Sequence, residues 1–398
     1  MNKKLGLAVA GALVAFSSAA NAGISIPAGD WTVDISGNVN AFYINNHGNG
    51  SNTIAGGLAS GKPANGSSES SINTGLLPSW LTIGAKTRQN DLDVAWAISF
   101  QPGGSTAHPL AGGNGTNAPA EFRQAYLTFG DASWGSIKVG KDLGVFGSDA
   151  ILSDMTLLGV GSGAGVGGTT TTLGRIGTGY VYADFLGQIN YTTPNWNGFQ
   201  ATVGIDQPQS TSDTGGPKAG QKSPAFVALA RYSFTSDAVS GKVWGEVKTQ
   251  EAYGIGGTPG KSENAYLYGL GAQASASGFT ATGYYYSGEG AGTTAFLASG
   301  FDDNGVRRKS DGGFVQATYA IPTVGTKVGV SWGISNLDAT ATDLTTLVKE
   351  NEMWTVGVYH PLTKSVNLVA EYSNVKSQNQ ASQENKSDIV SAGAILFF

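Results

Sequence analysis

Histidine is scarce among the residues that could carry chemistry in this sequence: His47, His108 and His360 are the three in the chain. A metal centre or a Ser–His–acid hydrolase would have to assemble around His47 or His108 with acids from the same Gly- and Asn-rich stretches. No H-E-x-x-H or similar spacing accompanies either, so solvated loop histidines are the better reading. Cysteine is absent, which removes disulfides and thiol chemistry together. Gly163-Ala164-Gly165-Val166-Gly167-Gly168 satisfies G-x-G-x-x-G literally. With 60 glycines in 398 residues and no surrounding β-α-β unit, that match carries no dinucleotide site. Gly260-Lys261-Ser262 resembles the end of a P-loop, but Ile255 stands where its first Gly belongs. Asp302-Asp303-Asn304-Gly305 lacks the full Ca²⁺-loop spacing and reads as a polar turn. The residues therefore point to no catalytic group, metal or cofactor.

The elements that could hold any site follow from composition. Gly is about twice its usual share, and charged residues, at 13%, are about half the usual ~25%. Long helices and coiled coils are disfavoured by the Gly content, and collagen by its lack of a three-residue period. Disorder is disfavoured by 40% hydrophobic residues, including 8 Trp, 15 Tyr and 16 Phe. A β-rich chain with many turns remains. At the N-terminus, Lys3 and Lys4 precede an uncharged run from Leu5 to Phe16 and then Ala20-Asn21-Ala22, the pattern of a secretory signal with an A-x-A cleavage site. The apolar run is too short for the ~20 residues of a spanning helix. Cleavage after Ala22 would leave residues 23–398, with 21 basic against 28 acidic residues and a net charge of −7. That balance argues against a general nucleic-acid partner. No later run of 18 apolar residues occurs, leaving a soluble exported protein or a closed membrane β-barrel.

Period-two alternation decides between them. Trp31, Val33, Ile35, Val39, Ala41 and Tyr43 share one face, as do Leu92, Val94, Trp96, Ile98 and Phe100. Val328, Val330, Trp332 and Ile334 form another such face, and Val390, Ala392, Ala394, Leu396 and Phe398 a fourth, with small or polar residues between them. Twelve weaker runs, near 80–88, 120–130, 135–141, 180–193, 199–206, 225–234, 241–250, 265–275, 279–287, 312–320, 352–360 and 366–375, bring the total to sixteen. Seven short turns alternate without exception with eight long polar segments: 45–78, 102–119, 142–179, 207–224, 251–264, 288–311, 336–351 and 376–387. A sandwich has no reason to put every long loop at one end. A transmembrane antiparallel barrel with short periplasmic turns and long external loops does. Lipid cannot hydrogen-bond a free backbone, so the sheet must close, with its apolar face outward and its polar face on a water-filled lumen. Tyr191, Trp196, Phe199, Phe234, Phe279, Tyr319, Trp354 and Tyr372 fall near strand ends, where interfacial rings are favoured.

The chain resembles the general diffusion porins of Gram-negative bacteria. The similarity is carried by Phe122-Arg123-Gln124-Ala125-Tyr126, by Trp134-Gly135-Ser136-Ile137-Lys138-Val139-Gly140-Lys141, by Gly174-Arg175, and by the run from Tyr191 through Pro194, Trp196 and Gly198 to Phe199. The terminal Phe398 is similar to the C-terminal aromatic that outer-membrane assembly machinery recognises. The resemblance implies a homotrimer of barrels in outer-membrane lipid, a third loop folded into the lumen, and a constriction with basic residues on the wall opposite acids on that loop. Carried over by position, Arg123, Lys141 and Arg175 form the basic side, and Asp149 and Asp154 the acidic one. Strand parity puts Lys141 with Ile137 and Val139, so it faces inward only if a bulge intervenes or those two residues line the lumen. The expected function is passive diffusion of small hydrophilic solutes and ions. Lys86, Arg88, Arg123, Lys138, Lys242, Lys248 and Lys327 outnumber Asp93, Glu121, Glu246 and Glu371 in the strands, which predicts mild anion preference. A substrate-specific channel with saturable binding, along a track begun by Tyr284 and Tyr286, is the alternative; an outer-membrane hydrolase is disfavoured by the scarcity of His.

Overall fold

The computed structural model describes residues 23–62, 66, 68–102, 121–163, 171–209, 223–255 and 261–398. The expected signal segment, residues 1–22, lies outside them, as do His108, Gly260 and most of the G-x-G-x-x-G run. Eighteen strands are described. They are β1 (Ile24–Ala28), β2 (Trp31–Asn49), β3 (Ser68–Asn73), β4 (Trp80–Gln89), β5 (Leu92–Phe100), β6 (Ala125–Asp131), β7 (Gly135–Leu143), β8 (Phe185–Thr192) and β9 (Phe199–Asp206). The second half holds β10 (Ala225–Thr235), β11 (Ser240–Tyr253), β12 (Ser262–Ala276), β13 (Phe279–Glu289), β14 (Lys309–Ala320), β15 (Lys327–Leu337), β16 (Val348–Pro361), β17 (Val366–Asn379) and β18 (Glu384–Phe397).

Sixteen of these close into one antiparallel barrel. Each strand from β4 to β18 pairs with its neighbour in sequence, and the ring is completed by β2, which pairs with β4 on one side and β18 on the other. At the seam Val390 faces Asn45 and Leu396 faces Val39. The two further strands are short additions to β2. β1 extends the line of β18 beyond Phe398, whose backbone exchanges hydrogen bonds of 2.8 and 3.0 Å with Gly37. β3 pairs with the loop-side half of β2.

The faces follow the alternation. Val328, Val330 and Trp332 are exposed on the outside of β15, whereas Ser331, Gly333 and Ser335 are buried inside. Val39, Tyr43, Val390 and Leu396 stand outside across the seam, and Asn40, Ser387 and Ser391 inside. The outer surface is thus apolar, as a hydrocarbon solvent demands. The seven short turns read from the sequence lie at one end. The two-residue turn between β4 and β5 is built from Asn90 and Asp91, both at positive φ. The segment 376–387, read from sequence as a long loop, differs: β17 and β18 run on as strands and only residues 380–383 connect them. The wall is also uneven in height. β4 to β9 are 7–10 residues long, whereas β10 to β18 are 11–15.

Candidate functional site

The segment between β7 and β8 lies along the inward-facing side chains of the high wall. Gly147, at φ 79, turns the chain into a short helix α1 (Ser148–Ser153), followed by a 3₁₀ turn (Met155–Leu158). Asp154 caps that turn, accepting from Thr156 N at 2.9 Å and Thr156 Oγ1 at 2.7 Å. Ala150, Ile151, Met155 and Leu157 are buried in one apolar cluster with Trp244 of β11, Tyr284 of β13 and Phe314 of β14. Burying those apolar groups gives the segment a reason to stay inside rather than project into water.

Polar grips from the wall fix its path. Glu246 of β11 accepts the Gly147 N–H at 3.0 Å and the Tyr284 hydroxyl at 2.7 Å. Gln316 of β14 takes the Met155 N–H at 2.7 Å and returns a bond to the Ser153 carbonyl. Glu371 of β17 accepts the N–H groups of Val160 and Gly161 at 2.7 and 2.8 Å, together with the Tyr359 hydroxyl at 2.6 Å. Ser335 of β15 accepts the Gly179 N–H at 3.0 Å. These wall groups bind backbone, which any sequence supplies.

Asp149, on α1, meets two cations of the wall: Arg231 of β10 at 2.5 Å and Lys242 of β11 at 2.7 Å. Burial would raise the Asp149 carboxyl, but Arg231 and Lys242 hold it below the usual carboxylate range. Asp154 is buried and also receives the Tyr180 hydroxyl at 3.0 Å. Arg175 is fully buried, donating to the Met353 carbonyl at 3.0 Å and to Ser331 Oγ, so it pins the loop to β15 and β16. Burial lowers its pKa, opposed by the nearby negative charge of Asp154. Arg123 stands elsewhere on the ring. The non-strand segment before β6 breaks the alternation, so that Phe122 is exposed while Arg123 turns inward, its Nε donating to Glu121 at 2.7 Å.

One expected residue has to be moved. Lys141 is exposed on the outward face of β7 and donates to the Phe122 carbonyl at 2.9 Å. No bulge turns it inward: the register with β6 runs unbroken from Ala125↔Lys141 to Asp131↔Gly135, and Asp142 takes the inner position. The expected ladder at Tyr284 and Tyr286 is likewise buried in the packing behind the loop, at 5% and 0% exposure. Arg231 is not among the expected site residues; its inward neighbours Val227 and Leu229 are apolar, so that face of β10 carries no polar pattern in the sequence. Glu246 and Glu371 stand in the sequence as strand acids; the available signal is that Glu371 is alone on an inner face of small and apolar residues, whereas Glu246 is masked between Trp244 and Lys248.

The remaining motifs have plain structural roles. His47 meets Ser68 and His360 meets Thr326, at 3.0 and 2.8 Å. Asp302 caps its own turn and accepts the hydroxyls of Thr340 and Thr342 at 2.7 Å, latching two external loops. No cluster of three metal-ligating side chains occurs among the described residues.

A family model described as Gram-negative porin matches residues 8–380. Among solved structures, the outer membrane channel DcaP of Acinetobacter baumannii is similar at a TM-score of 0.70 and 17% identity, covering 95% of this chain and 100% of that one. OmpF of Salmonella typhi, in complex with daunomycin, is similar at 0.59 and 14%, covering 94% and 100%. A trimer form of OmpT, an outer membrane protein of Vibrio cholerae, is similar at 0.55 and 13%, covering 92% and 99%. No curated protein matches the chain by sequence.

Proposed function

The chain belongs to the Gram-negative porin family and forms an outer-membrane channel for passive diffusion, and from that premise we propose that it passes small hydrophilic solutes and ions with a mild preference for anions. The observation that carries the preference is the charge on the inner wall toward the turn end. Lys86, Lys138, Arg231, Lys242 and Lys327 face inward there; Asp34 and Asp142 each pair with one of them and Asp149 with two. Among the described residues Lys327 has no carboxylate within salt-bridge distance, and it lies 4.9 Å above the ring of Tyr359. Asp149 is shared by two cations and Lys327 is unpaired, while Glu246 and Glu371 of the same wall are engaged by loop N–H groups and tyrosine hydroxyls. Cations left without a full carboxylate partner raise the local concentration of anions. The loop between β7 and β8 is the constriction in this reading, and no chemical step is involved. Reversal potential under a KCl gradient tests it: a clear cation preference sinks the proposal.

Three further features belong to the same reading. Strands β6, β8 and β9, at 7 or 8 residues, are shorter than the ~9–11 that a tilted strand needs to span lipid. A low side of the wall is tolerable where other barrels cover it, which supports a homotrimer assembled on that side, with lipid against the high wall. Phe398, closing the barrel seam beside Gly37, is the terminal aromatic for the assembly machinery, and residues 1–22 are the export signal removed on the way.

A further inference from the structure

A cavity of about 210 Å³ opens between the β7–β8 loop and the low side of the wall, and nothing above uses it. Its walls are apolar, with Leu76, Leu77, Trp80, Leu152, Leu157 and Phe185 prominent. Glu121 and Arg123 are the charged residues among those lining it, and their side chains are 40% and 14% exposed. A dry cavity of ~150 Å³ lined by such residues takes up benzene, so a ring fits here with room for a substituent.

Arg123 is held in a way that leaves part of it available. Its backbone N–H donates to Gln101 Oε1 at 2.8 Å, its Nε donates to Glu121 at 2.7 Å, and its guanidinium lies 5.4 Å from the centre of the Phe185 ring. The two terminal nitrogens meet no acceptor among the described residues. A guanidinium presents that edge as two parallel donors, the geometry a carboxylate matches. Glu121 lines the same cavity and is the more exposed of the pair, so its charge is partly screened by water. A solute that was only charged would leave the apolar walls unfilled, and one that was only a ring would leave the guanidinium edge unmatched.

We propose that this cavity is a binding site for aromatic monocarboxylates, with the ring among Trp80, Phe185, Leu152 and Leu157 and the carboxylate on the terminal nitrogens of Arg123. The site rests on the diffusion-channel reading, and makes the channel saturable for this one class of solute.

The test is the purified protein in planar bilayers at fixed KCl, with benzoate, acetate or benzyl alcohol added. Benzoate should lower conductance saturably, with half-block at a concentration at least tenfold below that for acetate, and benzyl alcohol should not block. Arg123→Gln and the cavity-filling Leu152→Trp should each raise the half-block concentration for benzoate tenfold or more. If Arg123→Gln does not insert, Arg123→Lys keeps the charge without the fork and should also weaken the block. Acetate acting as well as benzoate, or benzoate block that survives both substitutions, overturns the site. Reversal potential in the same bilayers without benzoate separates the two readings: cation selectivity removes the anion preference while leaving a saturable benzoate block standing.

Discussion

Replacing Arg231 and Lys242 together by Gln removes two positive charges from the inner wall opposite the β7–β8 loop and leaves Asp149 without its cations. For an ion passing about 8 Å away in water, one unit charge contributes ~0.5 kcal/mol, and a Debye length of ~10 Å at 0.1 M salt reduces this to ~0.2 kcal/mol. Two charges therefore change the partition of an anion by about twofold and that of a cation by the same factor in the opposite sense, so the Cl⁻/K⁺ permeability ratio should fall about fivefold. Asp149 sets the pH dependence. In the native protein its carboxyl is held below the usual range despite burial, so it stays ionised from neutral pH down to mildly acidic solution. In the double variant burial acts alone and raises it, so acidification adds a proton there, leaves a net loss of one charge, and reduces the fall to about twofold. The assay is reversal potential under a KCl gradient at several pH values. A variant whose permeability ratio equals that of the native channel at every pH would refute the assignment of the field to this cluster.

Three smaller perturbations follow from the same geometry. Lys141→Gln should leave selectivity unchanged in the reversal-potential assay, because Lys141 faces away from the lumen. Glu371→Leu removes the one carboxylate oxygen that accepts both loop N–H groups, a loss of about 1–3 kcal/mol at that grip; single-channel current noise should increase while strand content by circular dichroism stays the same. The Asp302 latch is a pH-dependent element outside the membrane. Burial opposes its ionisation, but the hydroxyls of Thr340 and Thr342 and the N–H groups of Val306 and Asn304 bring its pKa to about 2. A depressed carboxyl stabilises the folded loops above the unfolded pKa of ~3.9 and loses that contribution as pH falls toward the folded value. Amide hydrogen exchange at Asn304 and Val306, corrected for intrinsic rates, should therefore remain slow at pH 5 and accelerate between pH 4 and 2.

The barrel was legible because lipid and water impose opposite demands on alternate residues. Val328, Val330 and Trp332 outside, with Ser331 and Gly333 inside, reproduce the pattern read from the sequence. Where neither face meets lipid, that demand vanishes. The loop-side parts of β17 and β18, such as Ser377, Gln378 and Asn385, are polar on both faces and so read as loop, although their backbones stay paired. β3 was missed for the same reason and β1 for its brevity. Inside the barrel the pattern fails in the other direction. Val227 and Leu229 face inward because the helix α1 covers them, and this hid Arg231, the wall partner of Asp149, from a reading in which inward meant polar.

The β7–β8 loop shows why a search for acids on the loop found half of the site. Its position is written mainly in the wall. Glu246, Gln316, Glu371 and Ser335 are fixed on paired strands and reach backbone N–H groups, so the loop has to supply an accessible main chain rather than particular charges. That requirement selects small residues. A side chain at Gly159 would place its Cβ 2.1 Å from a Glu371 carboxylate oxygen, and Gly161, at φ 57, would press against the backbone of Gly174. Gly159 and Gly161 are thus what allow the buried Glu371 to approach the main chain. The charge of this cluster follows the same division: the loop contributes Asp149 and the wall contributes Arg231 and Lys242, where substitution does not have to preserve a loop conformation. Selectivity in this barrel should accordingly respond more to inward substitutions on β10 and β11 than to changes among the glycines of the loop, whose substitution should alter conductance and noise first.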